Sequence, residues 1–190
     1  MSFLMKACAA SLLLAASAAF AGDNHKVQKV HVDIRDYCDP VTFAQIGCNR
    51  PDAATNGFIT FAGFGAELAA DKSVGAWRYA PDSINGKEEE KTKITATNVG
   101  GEGHTFTRVK KFGGGFVAAL NAGSGNNTPA PECASVVNNQ LVPNPNALAS
   151  ILGPGQSTTA VVGDDDKDAK FQCCIHPWMR ATVNHDGHHD

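Results

Sequence analysis

Phe171-Gln172-Cys173-Cys174-Ile175-His176-Pro177-Trp178-Met179 sets a thiol, an imidazole and a thioether within nine residues. Residues 169–174 and 180–184 on either side read as strands, so the segment between them is a short turn. A turn of that length lets Cys173 leave one strand and Met179 enter the next with both facing one point. Pro177 stiffens the turn, and Trp178 is placed to shield that point from water. Sulfur with imidazole is a soft donor set suited to copper, which a redox site must hold as both Cu(I) and Cu(II). Cys-x-x-His alone also serves zinc. Met179 disfavours zinc, and no second Cys-x-x-Cys pair is present to complete a structural zinc site. The alternative is that Cys173 is a disulfide partner and Met179 is core packing.

Working outward, a further donor is needed from elsewhere in the chain. His104 stands in Asn98-Val99-Gly100-Gly101-Glu102-Gly103-His104-Thr105-Phe106, at the start of a predicted strand. The other β-branched or aromatic runs are residues 26–34, 57–61, 77–80, 91–98, 105–110 and 157–162. Asn85-Gly86, Gly100-Gly101, Gly113-Gly114-Gly115, Pro154-Gly155 and Gly163-Asp164 punctuate them as turns. Many short strands with such turns predict an all-β sandwich or barrel. Residues 37–70 and 119–152 fit the pattern less well. They read as loops decorating it, with a helical turn or two over 147–152.

The chain has 190 residues, enough for one well-buried domain. Lys6, the Ala/Leu/Ser run over residues 7–18 and Ala19-Phe20-Ala21 have the form of a cleaved signal peptide spanning residues 1–21. The apolar run is too short to span a bilayer. The mature domain is then expected over residues 22–184, followed by a polar, mobile His/Asp-rich tail over 185–190. Without Lys6 there are 15 basic against 19 acidic residues, a net charge of −4. That balance argues against nucleic acid as a partner. Export, to the periplasm or outside the cell, means an oxidising compartment where disulfides persist. Five cysteines remain after cleavage, Cys38, Cys48, Cys133, Cys173 and Cys174, so one thiol is left over.

The segments NVGGEGHTF, LGPGQSTTAVV and FQCCIHPWM resemble the cupredoxin (blue copper) family. They match, in turn, its first-histidine strand, the strand preceding its ligand loop, and that loop in a short Cys-x-x-His-Pro-x-Met form. The resemblance implies a Greek-key β-sandwich with one mononuclear type 1 copper. It also implies His104, Cys173 and His176 as equatorial ligands and Met179 as the weak axial one. The adjacent Cys174, the two residues between His176 and Met179, and the long N-terminal third depart from the family pattern. Adjacent cysteines do not reproduce the spacing of the family's binuclear site. With Cys173 on the metal, four cysteines allow three pairings. The closeness of Cys38 and Cys48 predicts that they bond, leaving Cys133 with Cys174.

The function the resemblance implies is one-electron transfer between redox partners, with no catalytic residue. The rival is a copper-handling module, a chaperone, sequestering protein or assembly factor, kept open by the tail histidines His185, His188 and His189. A third reading is an accessory contact domain. The repeated His-x-His pairs of multicopper oxidases are absent, and Phe112-Gly113-Gly114-Gly115-Phe116 lacks the context of a phosphate loop. His25 and His31 read as solvated surface residues. The acidic runs Glu88-Glu89-Glu90 and Asp164-Asp165-Asp166 read as solvated turns.

Overall fold

The computed structural model describes residues 26–49, 58–87, 89–163, 166 and 168–185. The expected signal peptide, His25, residues 50–57 and residues 186–190 lie outside the described residues.

Among the described residues, ten strands and three helices follow one another along the chain. One sheet has the order β2-β1-β4-β8, from Arg78–Ala80, Lys26–Arg35, Glu90–Asn98 and Ser157–Val162. The other has the order β3-β10-β9-β5, from Ser83–Gly86, Arg180–His185, Asp168–Gln172 and Thr107–Val109. Alternation decides which residues meet between the sheets. Val32, Ile34, Ile94, Ala96 and Val162 point inward from the first sheet, and Ile84, Ala169, Phe171, Ala181 and Val183 from the second. The chain crosses between sheets from β2 to β3, from β3 to β4, from β4 to β5 and from β8 to β9, so strands adjacent in sequence often lie in opposite layers. This is the expected β-sandwich.

The decorating segments are more ordered than the sequence reading has them. Phe61–Asp71 is a helix, α1, where residues 57–61 were expected to form a strand and 37–70 a loop. Thr60 caps it through its hydroxyl on the Gly63 N–H, and Lys72 closes it in the left-handed region. Phe64 and Leu68, one turn apart, form its buried face. Ile59 makes only an isolated bridge with Cys38. Ala118–Ser124 forms a second helix, α2, and Pro145–Ala149 a third, α3, which starts two residues before the predicted helical turn. Ala134–Val137 (β6) and Gln140–Pro143 (β7) make a hairpin. Asn138 and Asn139, both at positive φ, form its two-residue turn.

Two further corrections concern strand ends. Cys173 and Cys174 lie beyond β9, which stops at Gln172, and His185 closes β10 instead of opening a mobile tail. His185 is buried because its ring lies against the Thr92 hydroxyl at 3.2 Å and the Asp166 carbonyl at 3.1 Å.

Cys38 is bonded to Cys48, and Cys133 to Cys174. The second bond sits in a small separate core with Val109, Ala130 and Ala147. It fastens residues 119–152 to the turn after β9. The three glycines 113–115 serve the same junction. A Cβ on Gly115 would lie 1.9 Å from the Cys174 carbonyl oxygen, and one on Gly114 2.2 Å from that of Asn126. The run is a place where backbones touch.

The Cys133–Cys174 bond closes a span of 41 residues. A bridge of that length stabilises by about 3–4 kcal/mol. The double variant Cys133→Ser/Cys174→Ser is expected to melt about 6–16 °C lower by calorimetry. The Cys38–Cys48 bond, with a separation of 10, is expected to matter less.

Candidate metal centre

Among the described residues, Cys173 is the cysteine outside a disulfide, and it is fully buried. Its sulfur lies 3.8 Å from His104 Nδ1 and 3.9 Å from His176 Nδ1. The three donor atoms all lie within 4.8 Å of one another. A trigonal N,N,S set with metal distances of about 2.0 and 2.3 Å needs N···S separations of about 3.7 Å. The spacing therefore fits one first-row ion. Two imidazoles and a thiolate are a donor set that suits copper.

Each donor is held by backbone on at least two sides. His104 N–H donates to the Leu152 carbonyl, and Leu152 N–H donates back to that of His104. This exchange anchors the histidine to the segment before β8. Cys173 N–H donates to the Met179 carbonyl, and Met179 N–H to that of His176, so the turn closes on itself. Met179 is itself fully buried in the main core. The Cys173 sulfur accepts N–H bonds from Thr105 at 3.4 Å and His176 at 3.5 Å. Thr105 also accepts the Cys174 N–H on its hydroxyl and the Tyr79 hydroxyl on its carbonyl. One residue thus ties the His104 strand to the cysteine turn.

Behind His104 stands a residue the sequence reading did not single out. Asp36 is buried, and its Oδ2 lies 2.8 Å from His104 Nε2. The same carboxylate accepts the N–H groups of Gly101 at 2.9 Å, Glu102 at 3.0 Å and Cys38 at 3.3 Å. A carboxylate in this setting only accepts, so His104 Nε2 carries a proton and donates it, leaving Nδ1 to face the metal position. A Cβ on Gly100 would fall 2.0 Å from Asp36 Oδ2, so glycine there is a condition of the contact. A sequence signal for Asp36 existed: it continues the inward register of Val32 and Ile34, where alternation calls for an apolar side chain.

Glu102 stands in the same relation to the second imidazole. Its Oε2 accepts the Trp77 indole N–H and lies 3.7 Å from His176 Nε2. Asn98 holds the loop carrying Glu102 by donating to the Glu102 and Leu152 carbonyls and accepting from Gly100 N–H. The remaining faces of His176 are aromatic. Trp178, Trp77 and Phe64 lie 5.4, 6.4 and 6.4 Å away between ring centroids. Trp178 thus stands where shielding was expected, and α1 contributes to the cover.

The charges interlock. Burial pushes Asp36 up, but His104 and the Glu102 and Gly101 N–H groups outweigh it and hold the carboxyl well below the usual range. Burial pushes His104 down, but Asp36 and Cys173 outweigh it and raise the imidazole to about 9. Burial pushes the Cys173 thiol up, and the two histidines overcome that and drive it well below its ordinary value. Asp36, His104 and Cys173 thus form one line of mutually coupled groups, and a cation bound at His104 Nδ1 would displace the proton there.

Of the residues expected at the site, His104, Cys173 and His176 are brought together, and Met179 lies buried in the same turn. His31 is exposed beside Asp33, away from the cluster. No protein-family profile and no curated protein matches the chain. Among solved structures, it is similar to a purple cupredoxin from Nitrosopumilus maritimus, with 14% identity, a TM-score of 0.38, and coverage of 83% of this chain and 99% of that one. It is also similar to dithionite-reduced auracyanin from Roseiflexus castenholzii, with 13% identity, a TM-score of 0.39, and coverage of 85% and 99%. The chain's own architecture is a two-sheet β-sandwich that carries a buried His–Cys–His cluster.

Proposed function

We propose that the protein is an exported mononuclear type 1 copper protein that carries single electrons between redox partners, with Met179 as weak axial ligand. The observation that supports this most directly is the convergence of His104 Nδ1, Cys173 Sγ and His176 Nδ1 on one buried position. Bound there, copper would supply a one-electron couple. The chain's own part is to keep the donors fixed while the charge changes. Backbone bonds on either side of each donor and the N–H groups on the sulfur serve that purpose.

Export is supported by the two disulfides, which call for an oxidising compartment. No helix among the described residues is long and apolar enough to cross a membrane. The partners are redox proteins that donate to or accept from the buried copper, or, on the rival reading, copper-trafficking proteins. Burial favours electron carriage over copper carriage. His104, Cys173, His176 and Met179 are all nearly inaccessible, so release of the metal requires the sandwich end to open.

Titrating the mature protein with Cu(II) is expected to give one intense visible charge-transfer band that saturates at one copper per chain. Cys173→Ser is expected to abolish the band and leave the far-ultraviolet circular dichroism unchanged. A band that survives Cys173→Ser and is lost in Cys174→Ser would move the ligand by one residue.

The reduced protein is expected to keep its copper against a moderate Cu(I) chelator over many redox cycles. Truncation before Asp186 is expected to leave colour and reversibility unchanged. Rapid stoichiometric transfer to the chelator would instead support the copper-handling reading.

A further inference from the structure

Asp36 and Glu102 are two carboxylates buried against the outer nitrogens of the two imidazoles, at 2.8 and 3.7 Å. A buried charge pair is a weak stabiliser, since desolvation cancels most of its attraction, and an apolar pair of similar volume commonly does as well. The chain nonetheless provides three backbone N–H donors and a glycine without a Cβ to hold Asp36 in place, and a tryptophan N–H to hold Glu102. Such provision makes sense for groups that act on what the imidazoles bind.

We infer that Asp36 and Glu102 are charged positioning residues of the copper centre, which fix the ring orientation of His104 and His176 and bias the bound metal toward Cu(II). This rests on the copper reading above. The physical argument has two parts. First, a carboxylate behind a ligating imidazole fixes its tautomer and makes it a stronger donor, an effect that commonly amounts to 10–100-fold in metal affinity. Second, the two carboxylates and the Cys173 thiolate place three anionic groups around one cation, in a site that excludes water. Fixed negative charge at low dielectric favours the dication over the monocation. The reduction Cu(II) + e⁻ → Cu(I) adds a further negative charge to that surrounding, so each carboxylate lowers the potential. The N–H groups of Thr105 and His176 on the sulfur oppose this by withdrawing charge from the thiolate. The potential is then set by carboxylates on the nitrogen side against N–H donors on the sulfur side.

Asparagine cannot replace Asp36 silently. Its NH₂ would face one of the N–H groups now donating to the carboxylate, whichever way the amide is turned. Glu102→Gln is the milder change, because Glu102 is farther from its imidazole and the Gln oxygen can keep the Trp77 bond.

The test compares the copper-loaded protein with Asp36→Asn and Glu102→Gln in a spectroelectrochemical titration, with Cu(II) and Cu(I) affinities measured separately. Both variants are expected to raise the midpoint potential. For Asp36→Asn the Cu(II):Cu(I) affinity ratio is expected to fall at least tenfold, equivalent to about 59 mV for one electron. Glu102→Gln is expected to give a smaller rise. A purely structural role would lower melting temperature and leave potential and visible band where they were. If Asp36→Asn fails to fold, Glu102→Gln decides the matter by the same readout. Coloured variants with unchanged or lowered potentials would overturn this inference and leave the copper reading intact. An unmodified protein that takes up no copper would overturn both.

Discussion

The Asp36 carboxylate joins the end of β1, the loop after β4 and the His104 imidazole at one point. It sits one residue beyond β1, accepts from the loop between β4 and His104, and holds the first metal-facing imidazole. Position 36 is fixed by the long parallel pairing of β1 with β4, which runs in register from Lys26 against Glu90 to Ile34 against Asn98. Slipping that register by one residue would turn Asp36 outward and put Arg35 or Tyr37 behind His104. The geometry at the centre is therefore inherited from a sheet register set by apolar alternation far from it.

The same economy governs the other side of the centre. β9 and β10 pair antiparallel up to Gln172 and Arg180, which leaves the intervening residues to form one tight turn. Within that turn Cys173 enters the main core while Cys174 enters the smaller one and bonds Cys133. Two adjacent cysteines thus serve different ends because their side chains leave the backbone in different directions. The disulfide anchors the turn from outside, and the backbone contact of Gly115 with Cys174 leaves little room for it to shift. A turn clamped in this way holds the Cys173 and His176 donor atoms in fixed positions.

The sandwich was legible in the sequence because strand alternation has a period of two, and Cys173 and His176 because they lie within one turn. His104, 69 positions from Cys173, was legible only through the resemblance to a known family pattern. What was not legible came from two sources. The helix α1 was missed because an aromatic run, residues 57–61, resembles a strand, and the Thr60 cap that ends it was outweighed by that composition. The β6–β7 hairpin carried a readable signal, Asn138-Asn139 between short apolar runs, inside a stretch whose Pro and Gly content suggested a loop. Thr105, Tyr79 and Trp77 act through contacts between residues far apart in the chain, which no local pattern encodes.

Asp36 is the instructive case, because its signal was a violation of the pattern. Val32, Ile34, Asp36 and Cys38 occupy successive inward positions, and all four are buried. A carboxylate in such a series must be repaid by donors or it would be excluded. Here the donors come from the loop that also carries Glu102 and leads to His104, so burial of one charge organises the loop that holds the other. An aspartate on the apolar parity of a strand is thus a pointer to a site. Its partner is to be sought wherever the chain gathers glycines close enough to let N–H groups converge. In this chain that place is Gly100-Gly101, three residues from the histidine the carboxylate serves.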